Sequence, residues 1–264
     1  MTTQIAEVAG PSLHVLGVRL TDLSRTDAIA FIERLMREAD GTHAIVLANA
    51  HTLNLAADNP EYAAVLNQAA AVFGDGTGVR WAARVRGTSL AGNLNGTDLL
   101  PAVLGTLGGR GYRCFLLGSD RETVSRAARA TGVTYPGWQV AGFHHGFFSD
   151  RETPAVIAAI NAARPHLLLV GMGNPRQEHW MHAHGRDLRV PVCVGVGGLF
   201  DFWAGRRRRA PLWMRRRGVE WLHILLHEPH KWRRYVFGNP KFLYRMILHL
   251  PRDRRLTRQT EQAR

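Results

Sequence analysis

Up to about residue 200 the chain alternates short apolar runs with longer stretches in which apolar residues recur at helical spacing. The runs Ala44–Leu47, Ala71–Phe73, Arg113–Leu117, Gln139–Ala141, His166–Val170 and Val190–Val194 are predicted as strands. Leu167-Leu168-Leu169-Val170 is apolar at every position, and a strand apolar on both faces belongs in a parallel sheet covered on both sides. The intervening stretches are predicted as helices: Asp27–Glu38, Thr52–Ala57, Glu61–Ala69, Gly78–Arg86, Asp98–Leu107, Arg121–Ala130, Pro154–Ala163 and Arg176–His184. Ser119-Asp120-Arg121-Glu122 and Ser149-Asp150-Arg151-Glu152 have the spacing of capping boxes and mark two helix starts. Strand and helix in alternation predict an α/β fold, a Rossmann-like parallel sheet sandwiched by helices.

From Gly205 the strands stop. Arg-rich amphipathic segments follow, interrupted at Pro211, Pro229, Pro240 and Pro251. The expected organisation is a Rossmann-like domain over 1–204, a basic helical appendage over 205–252, and a disordered tail over 253–264.

Charge sharpens that division. Residues 1–204 carry 17 Arg against 17 Asp and Glu, and so are neutral. Residues 205–264 carry 17 Lys and Arg against Glu220, Glu228, Asp253 and Glu261. The whole net charge of +13 therefore lies in the last 60 residues, which points to an anionic partner there. Trp213, Trp221, Leu225, Trp232, Tyr235 and Phe242 are interleaved with the basic residues, the composition of a helix that lies on a lipid interface. A packed face beneath a solvated one gives the same pattern.

A chain of 264 residues with 45% hydrophobic content builds a core without staples. Its two cysteines, Cys114 and Cys193, form no CxxC pattern, which excludes a disulfide scaffold or zinc module and fits a reducing compartment. The first ten residues lack the charged and apolar regions of a signal peptide, and no apolar run is long enough to span a bilayer.

Ligands of open α/β sheets bind beyond the carboxyl ends of the strands. Three of those exits are rich in glycine: Gly74-Asp75-Gly76-Thr77-Gly78, Gly171-Met172-Gly173-Asn174-Pro175-Arg176-Gln177, and Gly195-Val196-Gly197-Gly198-Leu199-Phe200-Asp201. A fourth exit carries Asn49 and His51, and the four are expected to converge. Glycine turns before helices let backbone N–H groups approach phosphate. None is a Walker A or dinucleotide fingerprint, so a plain ATPase or NAD enzyme is disfavoured. Asp75, between two glycines, reads as a general base or as a turn residue bonding its own backbone. Asp201 reads as a cap or as a ligand contact. Gln177 stands three residues after Asn174, as in a capping-box variant, with Pro175 suited to the first helical position. His179, His182 and His184 share one helix but match no zinc spacing. Asp-x-Asp occurs nowhere in the chain.

Taken together these loops resemble the WecG/TagA/CpsF family of bacterial glycosyltransferases. The resemblance runs from about Val15 to Leu243. It includes Leu16-Gly17-Val18, Asn59-Pro60-Glu61-Tyr62, the Asp75 and Gln177 loops, Gly96-Thr97-Asp98-Leu99-Leu100, His144-His145-Gly146-Phe147-Phe148, Arg209-Ala210-Pro211, Glu220-Trp221-Leu222 and Gly238-Asn239-Pro240-Lys241-Phe242. It implies an inverting transfer of a hexosyl unit from a UDP-sugar to a polyprenyl-diphosphate-linked sugar in cell-surface polysaccharide synthesis. It implies Asp75 as base, with Asn49 and Gln177 in the catalytic site. It also implies a basic appendage that meets an anionic membrane, on a cytoplasmic protein peripheral at the inner face. Donor contacts are expected from Gly171, Gly173, Gly197 and Asp201, and from Lys231, Arg233 and Arg234 of the appendage. No metal or other cofactor is expected, since Arg and backbone N–H groups can stabilise the leaving diphosphate. Three positions depart from the family pattern: Leu47 replaces a common Thr, Asn93 replaces a common Arg, and Ile224 stands near another. They leave the donor open among N-acetylmannosaminyl, glucosyl and glucuronosyl units. The competing readings are a non-catalytic membrane scaffold of the same fold and a nucleic-acid-binding protein using the basic tail; no nucleic-acid signature supports the latter. A second copy of the chain is an alternative partner for the appendage.

Overall fold

Eight strands make one sheet in the computed structural model, which describes residues 10–38, 40–85, 87–211, 213–214, 220–227, 232 and 236–262. The strands are β1 (Ser12–Val15), β2 (Val18–Thr21), β3 (His43–Ala48), β4 (Ala71–Gly74), β5 (Arg113–Gly118), β6 (Gln139–His144), β7 (Leu167–Gly171) and β8 (Val192–Gly195). Their order across the sheet is β1-β2-β4-β3-β8-β7-β5-β6. All neighbours are parallel except β1 and β2.

The helices are α1 (Arg25–Glu38), α2 (Ala50–Asp58), α3 (Pro60–Asn67), α4 (Thr77–Val85), α5 (Gly96–Thr106), α6 (Arg121–Thr134), α7 (Thr153–Ala163), α8 (Arg176–His184), α9 (Leu199–Trp203), α10 (Glu220–His227) and α11 (Gly238–Gln262). They build a core on each face of the sheet. Leu167 and Leu169 of β7 join Ile32, Leu100 and Val124 on one face, while Leu168 and Val170 join Leu53, Ile157 and Phe242 on the other. The doubly apolar strand is thus covered on both sides, as its sequence requires.

Capping at α6 is shifted by one residue from its predicted position. Asp120, not Ser119, is the N-cap, and its carboxylate accepts from Thr123 N–H at 2.8 Å. At α7 the Ser149–Glu152 pair forms half of the expected box: the Ser149 N–H and hydroxyl both donate to Glu152, and the helix begins at Thr153.

The antiparallel β1–β2 hairpin has no counterpart among the predicted strands. Its two-residue turn is Leu16-Gly17, with φ of 52° and 80°. A tight hairpin of this kind needs positive φ at both positions, which Asn-Gly or Asp-Gly usually signals. Leu16 gives no such signal and is held there from elsewhere in the chain.

What holds it is α11, and over 253–262 the structure overturns the disordered tail expected for 253–264; the last two residues lie outside the described ones. The helix runs 25 residues, passes through Pro251 and ends at Gln262. Asp253 is fully buried, and its two carboxylate oxygens accept the Leu16 and Gly17 N–H groups at 2.8 and 2.9 Å. Thr257 Oγ1 accepts from His14 N–H at 2.9 Å. The charged composition of this stretch hides a single inward stripe that completes the hairpin turn. Pro240 does not interrupt the helix either, because it stands in the first turn, where no intrahelical donor is needed.

At its start α11 docks on α2. Asn54 Nδ2 donates to the Gly238 carbonyl at 2.8 Å, and Phe242 and Met246 are buried between the elements. A Cβ on Gly78 of α4 would stand 3.1 Å from Ala50 Cβ and 3.6 Å from the Phe242 ring, so only glycine fits this meeting point without displacement. Asp58 accepts from Arg245 and from Lys241, the latter at 2.9 Å. Those hydrogen bonds hold the Asp58 carboxyl down at about 2. A depressed carboxyl stabilises the folded state above its unfolded pKa near 4 and loses that contribution as pH falls through about 2. The side chain is 46% exposed, so solvent screening limits the gain to under about 1 kcal/mol. Acid unfolding followed by tryptophan fluorescence should therefore show a small destabilisation between pH 4 and 2 that Asp58→Asn removes.

Candidate active site

Because β4, β3, β8 and β7 are consecutive in the sheet, their carboxyl ends bring the four loops singled out in the sequence to one place. They line a cleft of about 420 Å³ with Asn49, Asp75, Gln177 and Gly197 on its walls. A second cavity of about 300 Å³ adjoins it, bordered by Gly171, Gly173 and Asp201. His51, Asn174, Gly197, Gly198 and Arg207 line both.

Asp75 leaves the end of β4. Its N–H donates to the Ala48 carbonyl at 2.8 Å, which ties the turn to β3. Gly76 follows with φ of 89°, and its N–H donates to Asn93 Oδ1 at 3.1 Å. The backbone of the turn is thus pinned from both sides, and the half-buried Asp75 lines the cleft. Asn49 caps α2: its Oδ1 accepts from the His51 and Thr52 N–H groups at 3.0 and 3.2 Å, and Thr52 completes a capping box. The residue that resemblance places in the catalytic site is also the start signal of a helix.

Gln177 is not part of the expected capping arrangement. Helix α8 has Pro175 at its N-cap and no side-chain cap. The side chain is instead buried, 1% exposed, and spans two loops: its Oε1 accepts the N–H groups of Gly173 at 3.2 Å and Gly197 at 3.0 Å. Its Nε2 donates to Glu178 Oε1 at 2.7 Å. Glu178 also accepts from Asn174 Nδ2 at 2.6 Å and from the Tyr62 hydroxyl at 3.0 Å. Burial pushes the Glu178 carboxyl above the usual range, and the donors from Gln177, Tyr62 and Asn174 pull it back. A Cβ on Gly195 would come within 2.9 Å of Gln177 Nε2, so the strand must offer glycine there. Gly173 and Gly197 therefore spend their N–H groups on Gln177, not on the cavity. What they contribute is positive φ, 79° and 55°, and open space where a Cβ would stand. Gly171 serves close packing: a Cβ there would meet the Gly197 carbonyl at 2.9 Å.

Asp201 pairs with Arg207 at 3.3 Å on the wall of the smaller cavity. Arg209 forks onto Asp98, at 2.5 and 3.3 Å, and onto the Thr97 carbonyl at 3.1 Å. Lys231, Arg233 and Arg234 lie outside the described residues. Leu47 and Asn93, two of the three departures from the family pattern, both line the cleft. The third, Ile224, lies on α10. Among the described residues no group of three or more His, Cys, Asp or Glu stands together to hold a metal ion. Asn95, Asp98, Arg80, Arg207, Arg209 and Phe242 line the cleft without having been assigned to it from the sequence. For Asp98, Arg209 and Phe242 the signal was present, since all three stand in stretches that carry the resemblance.

The profile of the glycosyl transferase WecG/TagA/CpsF family matches residues 13–256. The chain belongs to that family. Among the relatives of this WecG/TagA/CpsF member is an N-acetylglucosaminyldiphosphoundecaprenol N-acetyl-beta-D-mannosaminyltransferase of Staphylococcus aureus. It is 31% identical over 240 residues, covering 89% of this chain and 91% of the relative. A protein of the same name from Bacillus spizizenii is 29% identical over 228 residues, covering 86% and 88%. The family match spans both the sheet and α11 up to residue 256, Asp253 included.

Proposed function

We propose that this glycosyltransferase moves a hexosyl unit, with inversion, from a UDP-sugar to a polyprenyl-diphosphate-linked sugar. The names of its relatives make an N-acetylmannosaminyl unit the first candidate and an N-acetylglucosaminyl-diphosphate lipid the first acceptor. Leu47 and Asn93 on the cleft wall keep glucosyl and glucuronosyl donors on the panel. The observation that carries the reading is Asp75, presented by a pinned glycine turn into a cleft that adjoins a second, glycine-walled cavity.

In this reading the acceptor hydroxyl attacks the anomeric carbon from the face opposite UDP. Its oxygen forms the new glycosidic bond, its proton passes to Asp75, and the electrons of the old bond leave with UDP. Arg207, at the junction of the cavities, is placed to take up charge developing on the departing diphosphate. That assignment uses no metal. The membrane partner is supported by α11, which exposes Tyr244, Ile247 and Leu248, and by the basic stretch before it. No helix among the described residues is long and apolar enough to cross a membrane, so the association proposed is peripheral.

The test is UDP release by purified protein with a panel of UDP-hexoses, a short-chain polyprenyl-diphosphate-sugar acceptor, and excess chelator. The expected result is acceptor-dependent release with one donor, undiminished by chelator. UDP binding without release from any pair would favour a scaffold role. No UDP binding at all would remove the reading.

A further inference from the structure

Three arginines of the described residues line the cleft: Arg80, Arg207 and Arg209. Two of them have carboxylate partners, Arg207 with Asp201 and Arg209 with Asp98. Arg80 has none among the described residues. Its Nη2 reaches Thr77 Oγ1 at 3.5 Å, the outer limit of a hydrogen bond, and its buried Nε has no hydrogen-bond partner.

This position is electrostatically costly in two ways. The side chain is half-buried, and its Nε is shut off from water without an acceptor, which leaves part of the guanidinium's donor set unmet. Arg80 also stands in the first turn of α4, where the helix presents its positive end, and no acidic residue shares that turn. Packing does not demand it, because α4 buries Val79, Ala82 and Ala83 on its other face. The groups around the cavity here are Asp75, Thr77, Asn93 and Asn95. Arg80 borders this larger cavity and not the smaller one. A cation held at a helix N-terminus, facing a cavity and with no carboxylate of the described residues in ion-pair contact, is matched by an oxyanion brought by a ligand.

We infer that Arg80 binds a substrate diphosphate on the Asp75 side of the cleft. The inference rests on the transferase reading, in which two diphosphates enter the site, one in the UDP donor and one between sugar and lipid in the acceptor. A guanidinium fork suits either, since it meets two phosphate oxygens in one plane.

The experiment uses the full chain as wild type, Arg80→Gln and Arg80→Lys. Titration calorimetry with inorganic pyrophosphate and with UDP is followed by the acceptor KM at saturating donor. Arg80→Gln is expected to weaken pyrophosphate binding roughly ten- to a hundredfold, with partial recovery in Arg80→Lys. A parallel loss of UDP affinity assigns the donor diphosphate. Unchanged UDP affinity with a raised acceptor KM assigns the acceptor diphosphate. Arg80→Gln equal to wild type in all three measurements overturns the inference, as does a wild type that binds neither pyrophosphate nor UDP. Arg80-dependent pyrophosphate binding in a protein that turns over no UDP-sugar would leave the Arg80 site standing and remove the transferase.

Discussion

Asp75→Asn is expected to lower turnover by roughly 10²- to 10⁴-fold, the usual contribution of a positioned general base, while UDP still binds. The change keeps the side chain's size while it removes the negative charge and the ability to hold a proton taken from the acceptor. The turn should survive it. Its backbone is held by the Asp75 N–H on the Ala48 carbonyl and the Gly76 N–H on Asn93, and neither bond uses the carboxylate that is altered. The smaller cavity, where the donor contacts expected from Gly171, Gly173 and Asp201 lie, does not include residue 75, so under the proposed function nucleotide affinity should report separately from chemistry. Initial rates of UDP release at saturating donor and acceptor, beside calorimetric UDP affinity, make the comparison. Wild-type turnover in Asp75→Asn would reassign the base. A joint loss of turnover and UDP binding would mean that the turn had collapsed.

The second large effect is on stability. Asp253→Ala should cost about 3 kcal/mol, because it leaves the Leu16 and Gly17 N–H groups without their acceptor in a buried setting. Asp253→Asn keeps one good acceptor and should lose less. Arg254→Ala, the exposed neighbour on the same helix, serves as the control and should stay within about 0.5 kcal/mol of wild type. Urea unfolding followed by tryptophan fluorescence measures all three. A silent Asp253→Ala would return residues 253–262 to the status of an unengaged tail.

The parts of this molecule that local pattern encodes were legible. Continuous apolar runs such as Leu167–Val170 announced strands buried on both faces, and glycine-rich exits announced the loops that meet at the cleft. The parts set by distant residues were not. Leu16-Gly17 lacks a turn signature because its conformation is held by Asp253, 237 positions away. Gln177 looked like half of a capping box, since spacing sees Asn174 and cannot see Gly197, which the side chain holds. Asn49 was picked out by strand exit and resemblance as a catalytic residue, and its capping of α2 was not read from the sequence. Arg80 falls inside the predicted helix Gly78–Arg86 with nothing in its spacing to single it out, and only the fold sets it on the wall of the cleft.

Phe242, buried against α2 and α4, is both a core residue and a stretch of cleft wall, and it arrives on α11. That has a consequence in time. A ribosome delivers the sheet, Asp75 and the Gln177 brace long before it delivers Gly238–Gln262. The nascent chain therefore holds Asp75 while one side of the chamber beside it is still missing. The chamber closes only when the helix has left the exit tunnel and Asp253 has reached the hairpin turn made near the start of synthesis. Translation order makes a fully walled cleft a late product of synthesis.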